Sequence, residues 1–169
     1  MHSIISKEEI NNVIKSQNDC AYELFLRICD IISGSATSIF ELHELYRMVY
    51  STFVIEGEVC NGGFYQYYGN STAQEFNAMG IEGFKLIGAH KTVDVLQKVY
   101  KTIFDQSPIF REEYLIVGMQ NAFNKANDDF DQIHIEEYDD QFYMAIEKDD
   151  ITNLRQNYII NAASNGWVE

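Results

Sequence analysis

Apolar residues recur along this chain every three or four positions, the period of a helix that buries one side. In "AYELFLRICDII" the spacing puts Leu24, Phe25, Ile28, Ile31 and Ile32 together. In "SIFELHELYRMVYSTFVIEGEV" the series Phe40, Leu42, Leu45, Tyr46, Val49, Phe53 and Val54 does the same. A further stripe of Val93, Leu96, Val99, Tyr100 and Ile103 marks "VDVLQKVYKTIF", with Thr92 expected as its cap. Ser6 with Glu9, and Ser38 with Glu41, fit the capping box, which places helix starts near residues 7 and 39. Ser107-Pro108 ends one helix and opens the next, because proline is tolerated in a first helical turn.

"FREEYLIVGMQNAFNKA", "EEYDDQFYMAIEK" and "ITNLRQNYIINAASNGW" follow as helices, the last with Asp149 or Asp150 as its expected cap. Gly80, Gly83 and Gly88 in "STAQEFNAMGIEGFKLIGA" predict a bend or a close helix contact. No alternation of the β type extends beyond a few residues, and there is no internal repeat. The pattern predicts an all-α fold, one domain over residues 1–169, in a bundle of about seven to nine helices.

Composition supports that reading. With 169 residues, of which 46% are hydrophobic and 14% aromatic, the chain can bury a core, and its single proline favours long helices over turn-rich β-structure. The N-terminal "MHSIISKEE" lacks the charge and apolar pattern of a signal peptide, and no uncharged run approaches a membrane span, so a cytoplasmic protein is expected. Cys20 and Cys29 on one helix would lie about 13 Å apart, beyond disulfide reach. Reduced, mostly buried thiols are therefore expected.

Charge changes the picture most. The chain carries 26 acidic and 12 basic residues, a net charge of −14. That repels nucleic acid and anionic lipid, whose binding relies on lysine and arginine, and favours basic protein surfaces. The acids are concentrated: residues 127–150, "NDDFDQIHIEEYDDQFYMAIEKDD", hold ten of them against one lysine. Interleaved Phe130, Ile133, Ile135, Tyr138, Phe142 and Tyr143 should fold this tract against the core. Its carboxylates would then be fixed, with neighbours on one helix face about 5–6 Å apart at Cβ. Such an array can compete for a basic DNA-binding groove.

A second stretch, "EGEVCNGGFYQYYGNS", invites chemistry, and the options narrow in turn. It follows a helix and has no lysine, so neither phosphate-loop pattern fits. Cys60 as a nucleophile needs a base, but His43, His90 and His134 are scattered and lie in no signature. The plainer expectation is a buried cysteine at a helix end, left-handed backbone across Asn61 to Gly63, and Phe64, Tyr67 and Tyr68 plugging a short following helix into the core. Glu56 and Glu58, beside the helix end, are expected to cap or pair locally.

No metal or cofactor site is expected. Asn127, Asp129 and Asp131 match the start of an EF-hand loop, but Gln132 stands where glycine is required and Tyr138 where the bidentate glutamate belongs. Asp131-x-x-His134 has no second copy to complete a di-metal bundle.

Glu58, Asn61-Gly62-Gly63-Phe64, Gln66-Tyr67 and Asn70, with Ile87-Gly88-Ala89 further on, resemble the signature of a bacterial DNA-mimic-protein domain family. The resemblance covers roughly residues 40–150. It implies an α-helical fold and, after the family's characterised member, an acidic dimer that imitates DNA and binds a transcription factor. The function expected is a non-enzymatic partner of a basic DNA-binding protein, acting through Asp128, Asp129, Asp131, Glu136, Glu137, Asp139, Asp140, Glu147, Asp149 and Asp150. Two alternatives stay open: an immunity or antitoxin-type protein neutralising a basic toxin, and a small enzyme centred on Cys60 and the Asn61–Gly63 loop.

Overall fold

The helical periodicity carries through the whole of the chain that the computed structural model describes, residues 7–15, 19–34 and 38–165. The side chains of Lys7, Ser71, Thr72, Asp128, Asp131 and Gln132 lie outside the described set, as does the Ser6 cap. In chain order come α1 (Lys7–Lys15), α2 (Cys20–Gly34), a 3-10 turn (Ile39–Glu41), α3 (Glu44–Gly69), α4 (Ser71–Ile87) and α5 (His90–Gln106). They are followed by α6 (Pro108–Val117), α7 (Met119–Lys125), α8 (Asn127–Ile133), α9 (Glu137–Asp149) and α10 (Ile151–Ser164). Among the described residues there is no strand, so the fold is all-α as expected.

Helix α3 is the axis of the assembly. Leu45, Met48, Val49, Ile55 and Val59 are buried along it, and it packs most extensively on α4, with α2, α7 and α9 also against it. The close contact predicted from the α4 glycines is this one. A Cβ on Gly80 would collide with Ile55, and one on Gly83 would come within 2.9 Å of Thr52, so side-chain-free positions let the two backbones approach. Helix α4 itself is unbroken.

Several local expectations are corrected. Ser38 caps only the 3-10 turn, and α3 begins at Glu44, where the His43 ring accepts from the Leu45 N–H. "FREEYLIVGMQNAFNKA" is two helices, because Gly118 adopts φ 82° between α6 and α7. Thr92 lies inside the first turn of α5 and donates there, so it is not the cap. At the start of α10, Asp150 occupies the cap position without a side-chain cap bond. Ser107 does what was expected: its hydroxyl accepts from the Phe110 N–H at 3.0 Å, with Pro108 following.

Candidate interaction surface

The glycine motif is a break within α3. Gly62 (φ −152°, ψ 21°) and Gly63 (φ 69°, ψ −171°) are non-helical, and helix resumes at Phe64, so only Gly63 takes a positive φ. Glu58 spans the break: its Oε2 accepts from Gln66 Nε2 and from Asn70 Nδ2, each at 2.9 Å. Phe64, Tyr67 and Tyr68 beyond it are fully buried, and Tyr67 donates to Asn77 Oδ1 at 3.1 Å. Burial pushes the Tyr67 and Tyr68 hydroxyls far above their ordinary range. The motif residues Glu58, Gly63, Phe64, Gln66, Tyr67 and Asn70 therefore build a kink, while Asn61 and Gly62 are exposed at its outer edge.

A helix that restarts has unpaired N–H groups and a positive dipole end. The acidic tract supplies the partner. Asp139 of α9 accepts from the Phe64 N–H at 2.9 Å, and a Cβ on Gly63 would collide with the same carboxylate. Asp149, with only 6% of its side chain exposed, accepts from both the Thr92 N–H (2.8 Å) and the Thr92 hydroxyl (2.9 Å) in the first turn of α5. Asp129 accepts from the Ser107 hydroxyl at 2.5 Å, behind the cap of α6. Three of the ten acids expected to face a partner thus hold the starts of helical segments.

Helix α9 explains the division. Asp139, Phe142, Ile146 and Asp149 are spaced three, four and three residues apart and form its inward stripe, with Phe142 fully buried. Glu137, Asp140, Met144 and Glu147 repeat the same spacing on the outward side, and all four are exposed. Glu136 precedes the helix, and Asp150 follows it, accepting from Asn153 at 2.6 Å. Their settings differ. Burial raises the Asp139 carboxyl against the lowering effect of the Phe64 N–H, and Glu136 and Asp140 add to the rise. Exposed Glu136 is held below its usual range by its own backbone N–H and by His134. Lys91, Lys98 and Lys148 lie with Asp94 around the cleft beside Gln141 and Met144, and among the described residues no ion pair reaches Glu137 or Asp140, whereas Glu136 meets His134 at 3.1 Å.

Cys60, expected to be buried, is exposed. It edges a groove of about 500 Å³ between α2 and α3, lined also by Tyr22, Phe25, Phe53, Glu56 and Glu58, and among the described residues by no histidine. Partial burial and Glu56 push its thiol up, the reverse of what activates a nucleophile. Behind the groove lies a residue that sequence reasoning missed. Arg155 of α10 is 1% exposed, donates to Glu56 Oε2 at 2.6 Å and to Thr52 Oγ1 at 3.1 Å, and lies 4.0 Å from the Phe53 ring centre. Its one sequence signal is that it is the single base between Ile151 and Ser164. Among the described residues no three histidine, cysteine or carboxylate side chains cluster as metal ligands. Nor is any described helix long and apolar enough to cross a membrane.

Comparison with curated proteins and with solved structures returns no match. The family model described as DMP19-like protein matches residues 40–162, a span from the 3-10 turn into α10 that takes in the glycine kink, the Asp139 and Asp149 caps and Arg155. The chain belongs to the DMP19-like protein family.

Proposed function

We propose that this protein is a non-enzymatic DNA mimic whose outward α9 carboxylates occupy the basic surface of a DNA-binding protein, such as a transcription factor, in the cytoplasm. The observation that carries the reading is the outward stripe of Glu137, Asp140 and Glu147, flanked by Glu136 and Asp150. Ten residues of helix set Glu137 and Glu147 about 15 Å apart, and the rigid core behind them keeps the spacing. Family membership supports the same role. Asp129, Asp139 and Asp149 serve it indirectly, by fixing the helices that carry the face.

The test is capture of partners from a lysate of the source organism at low and high salt, using the intact protein and a Glu136→Gln/Glu137→Gln/Asp140→Asn variant. Long-range attraction between charges is screened by salt. A DNA-binding protein should be retained at low salt, released at high salt, and lost with the variant. Recovery of a basic toxin would move the chain to the immunity reading, and recovery of no basic protein would end both. We further propose a homodimer, which light scattering of the purified protein checks.

A further inference from the structure

The groove between α2 and α3 combines two kinds of group that together favour one kind of ligand. Its aromatic wall is Tyr22, Phe25 and Phe53, with ring centres 6.3, 6.0 and 4.9 Å apart in the pairs Tyr22–Phe25, Tyr22–Phe53 and Phe25–Phe53. Its polar wall carries Glu56 and Glu58, and among the described residues no lysine, arginine or histidine lines it. Ring faces attract a cation within about 6 Å, and carboxylates complete its coordination. The protein already holds one guanidinium in this manner: Arg155 lies 4.0 Å from the Phe53 ring centre and 2.6 Å from Glu56.

The groove adjoins the acidic face. Cys60 sits at its edge, and the neighbouring Val59 carbonyl accepts from the Tyr143 hydroxyl at 3.1 Å, which places this end against α9 one helical turn from Asp140. A partner laid along Glu136, Glu137 and Asp140 would therefore bring its side chains to the groove. Tyr22, 48% exposed, is a large aromatic surface left at its rim.

We infer that this groove receives an arginine side chain of the basic partner, stacked on the exposed Tyr22 ring with Glu58 as its counter-charge. The inference rests on the acidic-face reading and adds a preference that charge alone does not give. Guanidinium is planar and weakly hydrated, so it stacks on rings, whereas ammonium is compact and strongly hydrated. Unassisted charge attraction would treat the two nearly alike.

The experiment measures binding of nona-arginine and nona-lysine peptides at low salt to the full chain. The variants are Tyr22→Ala, Glu137→Gln/Asp140→Asn, and the protein with Cys60 coupled to a bulky maleimide. The arginine peptide should bind about tenfold more tightly than the lysine peptide. Tyr22→Ala and the Cys60 adduct should erase that margin and leave lysine binding unchanged, while Glu137→Gln/Asp140→Asn should weaken both peptides together. Thermal melting confirms that each variant is folded, and the adduct tests the groove without removing a packed ring. Equal affinity for the two peptides, or an arginine margin that survives both groove changes, overturns the inference and leaves the acidic face standing. Failure of both peptides to bind overturns the acidic face and the groove together.

Discussion

The Asp139 carboxylate reaches across 75 positions of sequence to accept a hydrogen bond from the Phe64 N–H at 2.9 Å, at the point where Gly63 breaks α3. The glycine and the aspartate are one device. Gly63 supplies the positive φ and the space, and Asp139 satisfies the helix start that the break creates.

Gly63→Ala should therefore destabilise the protein by about 1–3 kcal/mol, through the strained φ and the clash with Asp139. Asp139→Ala should cost about 1–2 kcal/mol as a lost cap. Because the clash requires the aspartate, the double variant should be less destabilised than the two changes added together. Urea unfolding of the four proteins measures this, and strict additivity would show that the two residues act independently.

The raised Asp139 carboxyl has a consequence for pH. Its folded value lies above its unfolded one, so the folded state holds the proton more tightly between the two, and this group's contribution to stability falls as pH rises through that window. Asp139→Asn keeps an oxygen to accept from the Phe64 N–H but does not titrate. The variant should show a flatter decline in stability above the ordinary aspartate range, read by unfolding at a series of pH values. An unchanged slope would place the titration elsewhere.

Burial lowers the pKa of the Arg155 guanidinium, and the Glu56 carboxylate opposes that shift. Arg155→Ala strands Glu56 and removes the packing on Phe53, so a loss of about 3–5 kcal/mol is expected. Arg155→Met with Glu56→Gln keeps volume and leaves no charge uncompensated, and should recover most of that loss. Melting temperatures of the single and paired variants decide; an equal loss in both would mean that the ion pair is not what matters.

Cys60 is exposed, yet its thiol is pushed up by partial burial and by Glu56. It should alkylate with iodoacetamide no faster than glutathione at neutral pH, and Glu56→Gln should raise the rate modestly. Reaction many times faster than glutathione would revive the nucleophile reading.

The helices were legible because their stripes repeat over three or more turns, and Ser107-Pro108 could be placed because cap chemistry is local. Breaks that depend on one backbone angle were not: Gly118 resembles any helical glycine until its φ of 82° is known. The glycine motif could be read as a helix stop and turn, but the carboxylate that completes it comes from a helix far along the chain. Arg155 was invisible for a related reason. A lone arginine on a polar-looking helix reads as solvated, and only the tertiary packing that sets it against Thr52, Phe53 and Glu56 of α3 and Phe84 of α4 encloses it.

Sequence by itself determined the helical class, the acidity and the concentration of carboxylates in residues 127–150, since periodicity and charge are properties of the chain alone. What only the tertiary structure decided is which carboxylates face out. Asp139 and Asp140 are neighbours of the same chemical type, yet one caps α3 and the other faces solvent, because successive helical residues point about 100° apart and the core lies on one side only.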